Sequence, residues 1–264
     1  MDMTSGYSMA LPVMPAKVLD EGRFQITASI NGTCFSIGGP YMLTAGHVIA
    51  IKPKSESDAL VVGIQGPDGF FKAAKVIDAE LLPCDLGLLR VEFVFPESEN
   101  WFHRLKWSEH PLQPLETVRS AGYAYGMHIV EEHQSVVVRA FQGHIVSGLN
   151  NFKPLGMEGR PFSVYELSFM APRGLSGAPL LNASGTVVVH GVVIGNSESR
   201  MVVFRSQEQE AENGKTSSFE QYEALTLGVA VQAEEVLQQS SLLLGTTIRE
   251  HLERYELLSA RPQA

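Results

Sequence analysis

Short runs of β-branched and aromatic residues, closed off repeatedly by Gly, Pro and Asn, fill the first three-quarters of this 264-residue chain. Phe24–Ser29, Thr33–Ile37 and Tyr41–Thr44 are parted by Asn31-Gly32 and Gly38-Gly39-Pro40, sequences that end one strand and begin the next. Leu60–Ile64, Lys72–Asp78 and Leu86–Val94 follow, then a connecting stretch, Pro96–Pro114, holding both tryptophans. The pattern resumes at Thr117–Tyr123, Ser135–Phe141, His144–Ser147, Val164–Phe169, Pro179–Leu181, Val187–His190, Val192–Ile194 and Leu225–Val231. About twelve short strands with turns between them specify an all-β sandwich or barrel, and the central stretch divides them into two comparable halves. The expected architecture is two six-stranded antiparallel β-barrels in series. Ala233–Gln239 and Thr247–Leu257 change to helical spacing, so one or two C-terminal helices should follow.

These divisions give an N-terminal arm over 1–19, a first barrel over 20–95, a linker over 96–115, a second barrel over 116–231 and a helical segment over 232–264. Ser197–Ser218 is polar and rich in Glu, Gln and Ser, and its centre, Gln207–Ser217, reads as an exposed loop.

A net charge of -9 argues against a nucleic-acid or anionic-membrane partner, because a phosphate-binding surface needs clustered Lys and Arg. The longest apolar runs are far too short to cross a bilayer. The N-terminus carries Asp2 and no positive charge before its apolar stretch, unlike an export signal. A cytoplasmic location is therefore expected. A disulfide between Cys34 and Cys84, the only cysteines, is conceivable, but two free thiols suit that compartment better.

Three segments carry the chemistry. Gly32 to Val48 runs from a strand through small residues to a lone histidine, His47; Asp85 sits directly before the apolar run Leu86–Val91; and Ser176 is bracketed by Gly174 and Gly177. Taken singly, each is an ordinary turn residue. Taken together, they stand in the order His, Asp, Ser. A serine hydroxyl is a weak nucleophile until a base removes its proton, and the base needs an acid to fix its tautomer. Glycines beside the serine free backbone amides to face a developing oxyanion.

The segments resemble the trypsin/chymotrypsin-like peptidase family, in its bacterial trypsin-like branch. Leu43-Thr-Ala-Gly-His47-Val is similar to the box around the family's general base, Asp85-Leu-Gly-Leu-Leu-Arg to its acid box, and Gly174-Leu-Ser176-Gly-Ala-Pro to its nucleophile box. Leu227-Gly-Val-Ala-Val resembles the last strand of the high-temperature-requirement proteases, which extends the resemblance over residues from about 20 to about 240. It implies a chymotrypsin-like fold and a serine endopeptidase that needs no cofactor and no metal. It gives His47 as base, Asp85 as its orienting acid, Ser176 as nucleophile, and the amides of Gly174 and Ser176 as the oxyanion hole. Met170, Gly191 and Val193 would line the substrate pocket; none is charged, so an uncharged residue is expected on the acyl side of the cut bond. Two departures stand out. Leu175 replaces the acid that precedes the nucleophile in digestive members, which removes their zymogen switch, and Ala178 replaces a glycine.

Other readings fit less well. The serine elbow of α/β-hydrolases has a glycine where Ala178 stands, and its residue order is different. His128 and His133, the one close histidine pair, match no helical zinc spacing and are expected on a loop; His190 should face away from the pocket. A silent peptide-binding member of the same fold is the serious competitor. The expected partners are a protein or peptide substrate and a regulatory protein that acts through the Ser197–Ser218 segment.

Overall fold

A computed structural model describes residues 9–19, 24–26, 29–50, 58–68, 70–93, 101–125, 127–130, 133–154, 158–183, 187–209 and 216–259. Six strands close the first barrel: β1 (Leu11–Val18), β2 (Gly32–Gly38), β3 (Tyr41–Ala45), β4 (Asp58–Gln65), β5 (Phe71–Leu82) and β6 (Leu86–Glu92). Their order is β1-β2-β3-β6-β5-β4, and β4 returns to β1 to complete the ring. Closure leaves no free edge, and both faces of the central strands are covered: Leu43 and Leu88 pair on one face, Met42 and Leu89 on the other, and all four are out of contact with water. The first strand was not legible. Two prolines in Leu11–Val18 argue against a ladder, and the segment reads as an arm. It nonetheless pairs with both β2 and β4, so the first barrel begins inside the stretch read as the arm.

The second barrel uses β7 (Thr117–Gly122), β8 (Arg139–Phe152), β9 (Phe162–Leu167), β10 (Pro179–Asn182), β11 (Val188–Gln209) and β12 (Thr216–Gln232). The order is β10-β7-β8-β9-β12-β11, closed by the β10–β11 pairing. The loop expected over Gln207–Ser217 is shorter at both ends: Gln207–Gln209 and Thr216–Ser217 continue the pairing of β11 with β12, and residues 210–215 lie outside the described residues. Likewise Met127–Val130 and His133–Val136, which carry His128 and His133, pair as a hairpin rather than a loop; residues 131–132 lie outside the described residues.

The connecting stretch packs between the barrels. Lys106–Trp107 adds to β11 in parallel, and Trp107 is fully buried with its ring 5.8 Å from that of Phe35. Burying one indole, at about 25 cal/mol per Å² over about 200 Å², contributes about 5 kcal/mol before entropy. The chain ends in α2 (Ala233–Leu237) and α3 (Ile248–Arg254), short helices that follow α1 (Gly46–Ile49). Thr247 and Glu250 form a reciprocal capping box that starts α3. α2 packs on β11 and β12 of the second barrel, where Val236 and Leu237 join the apolar cluster of Val192, Val229 and Val231. α3 packs on β2 of the first barrel, with His251 Nε2 3.3 Å from the Gly38 carbonyl oxygen. Among the described residues no helix is long and apolar enough to cross a membrane.

Candidate active site

His47 sits on α1, the single helical turn that follows β3. Asp85 lies in the turn between β5 and β6, where Leu82 pairs with Leu86. That turn is so tight that Cys84 and Asp85 both take positive φ, 65° and 54°, a conformation Asp tolerates better than most residues. Its reward is two contacts on one histidine. The His47 backbone amide donates to Asp85 Oδ1 at 2.9 Å, and His47 Nδ1 lies 2.7 Å from Asp85 Oδ2. An ionised carboxylate only accepts, so the imidazole proton sits on Nδ1 and Nε2 is left as a base. Gly46, where the family box has alanine, lets the acid come close: a β-carbon there would stand 3.0 Å from both Asp85 Oδ1 and the Leu86 carbonyl. Asp85 is mostly buried, with its side chain 15% exposed, while that of His47 is 49% exposed to the cleft.

The turn that carries Ser176 can be accounted for group by group. The carbonyl of Pro172 accepts from Leu175 N, that of Arg173 from Tyr125 N, and that of Leu175 from Ala178 N. Thr33 Oγ1 donates to the Gly174 carbonyl at 2.7 Å, and Thr33 N donates to the Ser176 carbonyl at 2.8 Å. Gly177 N reaches the Val193 carbonyl. The amides of Gly174 and Ser176 remain: among the described residues neither has a partner. Gly174 (φ 95°) and Gly177 (φ 86°) both need positive φ, and a β-carbon on Gly177 would lie 2.0 Å from the Thr33 carbonyl oxygen. Glycine is therefore required at both places.

The nucleophile turn and the histidine turn meet at Gly32. A β-carbon there would fall 2.4 Å from a Val48 methyl and 2.8 Å from the Ser176 carbonyl oxygen, so the Val48 side chain and the backbone of residue 176 flank one α-carbon. Among the described residues, neither Ser176 Oγ nor His47 Nε2 has a side-chain hydrogen-bond partner.

The expected pocket residues are not brought together on one surface. Met170 is exposed, but Val193 is fully buried among Leu175, Ala178 and Ala230 in the barrel core. A β-carbon on Gly191 would press to 2.3 Å from the Val231 carbonyl oxygen in the ladder. The sequence reading missed Asn196, whose side-chain amide holds both backbone groups of Ala171, at 2.7 and 2.9 Å, directly after Met170. It also missed Thr33, which looks like one more strand residue. His190 is buried, its Nδ1 3.2 Å from the His110 carbonyl, and burial lowers its pKa. Cys34 and Cys84 are both free and buried. Burial, then the charge of Glu235, opposed by Arg160, pushes the Cys84 thiol up to about 11. Among the described residues no three metal-binding side chains cluster.

Residues 32–188 match the family described as trypsin-like peptidase domain. No curated protein matches the chain significantly. Solved structures with the same fold include Rv3671c from M. tuberculosis H37Rv, a serine-to-alanine mutant in an inactive form. It is 19% identical with a TM-score of 0.51, over 88% of this chain and 84% of that one. The MamO protease domain from Magnetospirillum magneticum is 15% identical with a TM-score of 0.53, over 87% and 94%. The HtrA-type protease AlgW bound to a decapeptide is 14% identical with a TM-score of 0.52, over 89% of this chain and 65% of that one. At these identities the structures share a fold, chymotrypsin-like and mostly β. With the family match running through more than half of its length, this chain belongs to the trypsin-like peptidase domain family.

Proposed function

We propose that the protein is a serine endopeptidase in which Ser176 attacks the scissile carbonyl. His47 Nε2 takes the hydroxyl proton as the C–O bond forms, and Asp85 holds Nδ1 and stabilises the imidazolium. The amides of Gly174 and Ser176 receive the oxyanion. Collapse of the tetrahedral intermediate passes the proton from His47 to the leaving amine, and water then hydrolyses the acyl-enzyme by the same route. The observation that carries this reading is the two-point hold of Asp85 on His47, which fixes the base's orientation and its tautomer together. The unpartnered amides of the Ser176 turn support it. The same reading puts the protein in the cytoplasm, where two buried, unpaired thiols stay reduced.

The test is covalent labelling by a fluorophosphonate. The wild type should be labelled, while Ser176→Ala and His47→Ala should not. Absence of labelling in folded wild-type protein would favour a peptide-binding module built on the same fold.

A further inference from the structure

β11 and β12 pair with each other along their whole length, but their other neighbours stop early. β9 pairs with β12 only over Gly228–Val231, and β10 pairs with β11 only over Val189–Val192. Beyond Asn196 and Leu227 the two strands therefore run on alone, as a ribbon roughly 40 Å long at ~3.3 Å per residue. A two-stranded ribbon is marginal in water by itself.

Register sorts its side chains, because residues directly opposite each other share a face. One face carries Leu225 opposite Ser199, Met201 opposite Glu223, Phe204 opposite Gln221, and Phe219 opposite Ser206. Met201, Phe204, Phe219 and Leu225 are 62, 52, 59 and 58% exposed, and the two phenylalanine rings lie 6.3 Å apart. Val203, at the bulge between Val202 and Phe204, is also exposed. The other face carries the charges, already paired within the chain: Arg200 with Glu198, and Arg205 with Glu220, which also accepts from the Tyr222 hydroxyl. Followed back towards the barrel, the apolar face leads to Val229 and Val231, which share one apolar cluster with Val236 and Leu237 of α2, the helix that packs on both strands. Among the described residues nothing covers its outer half.

We propose that this apolar face is a dimer interface, and that a second copy of the chain packs on it face to face about a twofold axis. Glu223 is the one charge on this face among residues whose side chains are described, so a highly charged partner finds nothing to pair with. An identical apolar face is complementary to it, and a twofold supplies one. About half of each apolar side chain is open, so Met201, Phe204, Phe219 and Leu225 together with the polar residues between them present on the order of 500 Å² per copy. The resulting ~1,000 Å² meets the lower bound for a specific interface. The proposal is independent of the peptidase reading.

Sedimentation of the full chain at micromolar concentration tests it. The wild type should sediment at about twice the 28.8 kDa of one chain, and Phe204→Ser with Phe219→Ser at the mass of one. Both phenylalanines stand off the barrel cores, and circular dichroism checks that the variant is folded. As a second reading, Gln221→Cys, on the apolar face, should form a covalent dimer on mild oxidation, whereas Ala224→Cys, on the charged face, should not. Cys34 and Cys84 are buried and do not compete. A monomeric wild type would overturn the proposal and leave the face to a different partner. A double variant that stays dimeric, or equal cross-linking from the two cysteines, would also overturn it.

Discussion

Thr33 Oγ1 lies 2.7 Å from the carbonyl oxygen of Gly174, across 141 residues of sequence and from one barrel to the other. The same hydroxyl accepts from the Tyr123 amide at 3.0 Å, and the Thr33 amide holds the Ser176 carbonyl. One fully buried side chain thus holds the Gly174 carbonyl and ties the nucleophile turn to β2, whose Thr33 carbonyl accepts from Thr44 Oγ1 of β3, the strand leading to His47, at 2.6 Å. The two barrels are locked together where the proposed chemistry needs them aligned.

Replacing Thr33 with valine keeps the shape and removes the hydroxyl, which takes away the donor to the buried Gly174 carbonyl and the acceptor that faces the Tyr123 amide. The expected cost is about 1–3 kcal/mol of stability for each group left unsatisfied, together with at least a tenfold loss in fluorophosphonate labelling rate. Thr33→Ser restores the donor and should recover most of both. Thermal unfolding and labelling rates on the two variants check this. A valine variant that labels at the wild-type rate would rule out the positioning role.

Gly32→Ala should act on geometry rather than on chemistry. Its methyl must displace Val48 or the Ser176 carbonyl, which lie 2.4 and 2.8 Å from where it would sit. A shift of an ångström between reacting groups can cost about a hundredfold in rate, so labelling should fall ten- to a hundredfold. Adding Val48→Ala removes the side-chain collision but not the backbone one, so the double variant should recover only in part. Full recovery would show that the Ser176 carbonyl does not constrain this position.

Glu80 pins the C-terminal segment to the first barrel. Its carboxylate accepts from Ser241 Oγ at 2.6 Å and from the amides of Leu242 and Leu243 at 2.9 and 3.1 Å. Burial pushes its pKa up, but the three hydrogen bonds together outweigh burial and the net shift is downward. The folded protein therefore favours the ionised form. The stabilisation is complete above the unfolded pKa of about 4.3 and is lost as pH falls through the lowered folded value. In denaturant titrations the wild type should be more stable than Glu80→Gln near pH 7, and the gap should narrow as pH falls below the ordinary carboxylate value of about 4.3. A gap that does not change with pH would mean the carboxylate's charge plays no part.

Much of this was legible before the structure. Alternating apolar residues between Gly and Pro turns gave the barrels, because a strand with one buried face repeats every two residues. His47, Asp85 and Ser176 stood out because each breaks such a run at a turn. What failed did so for local reasons. Pro12 and Pro15 disguise β1. The Ser197–Ser218 hairpin hides behind its bulge at Val202–Phe204, which moves Phe204 onto the face of Met201 and breaks the alternation a strand should show. Val193 shares the face of Gly191 on a stretch of strand that is regular, and that face packs into the core beside Ala230. Thr33 left no mark at all, since its role comes from partners 90 and 141 residues away.

Asp85→Asn isolates the tautomer. Asp85 accepts twice, from the His47 amide at Oδ1 and from Nδ1–H at Oδ2. An asparagine has one acceptor oxygen. If that oxygen keeps the backbone amide, the NH₂ group faces Nδ1 and drives the imidazole proton onto Nε2, the atom that must act as base. Asparagine tolerates the 54° φ of residue 85 about as well as aspartate, so the turn and the fold should survive. The expected result is a loss of labelling rate or turnover of about 10⁴-fold with little change in melting temperature. Asp85→Ala also loses the side-chain acceptor for the His47 amide and the residue suited to positive φ, and should be the less stable of the two. Near-wild-type labelling by the asparagine variant would mean that the Asp85–His47 contact orients a histidine with no part in catalysis.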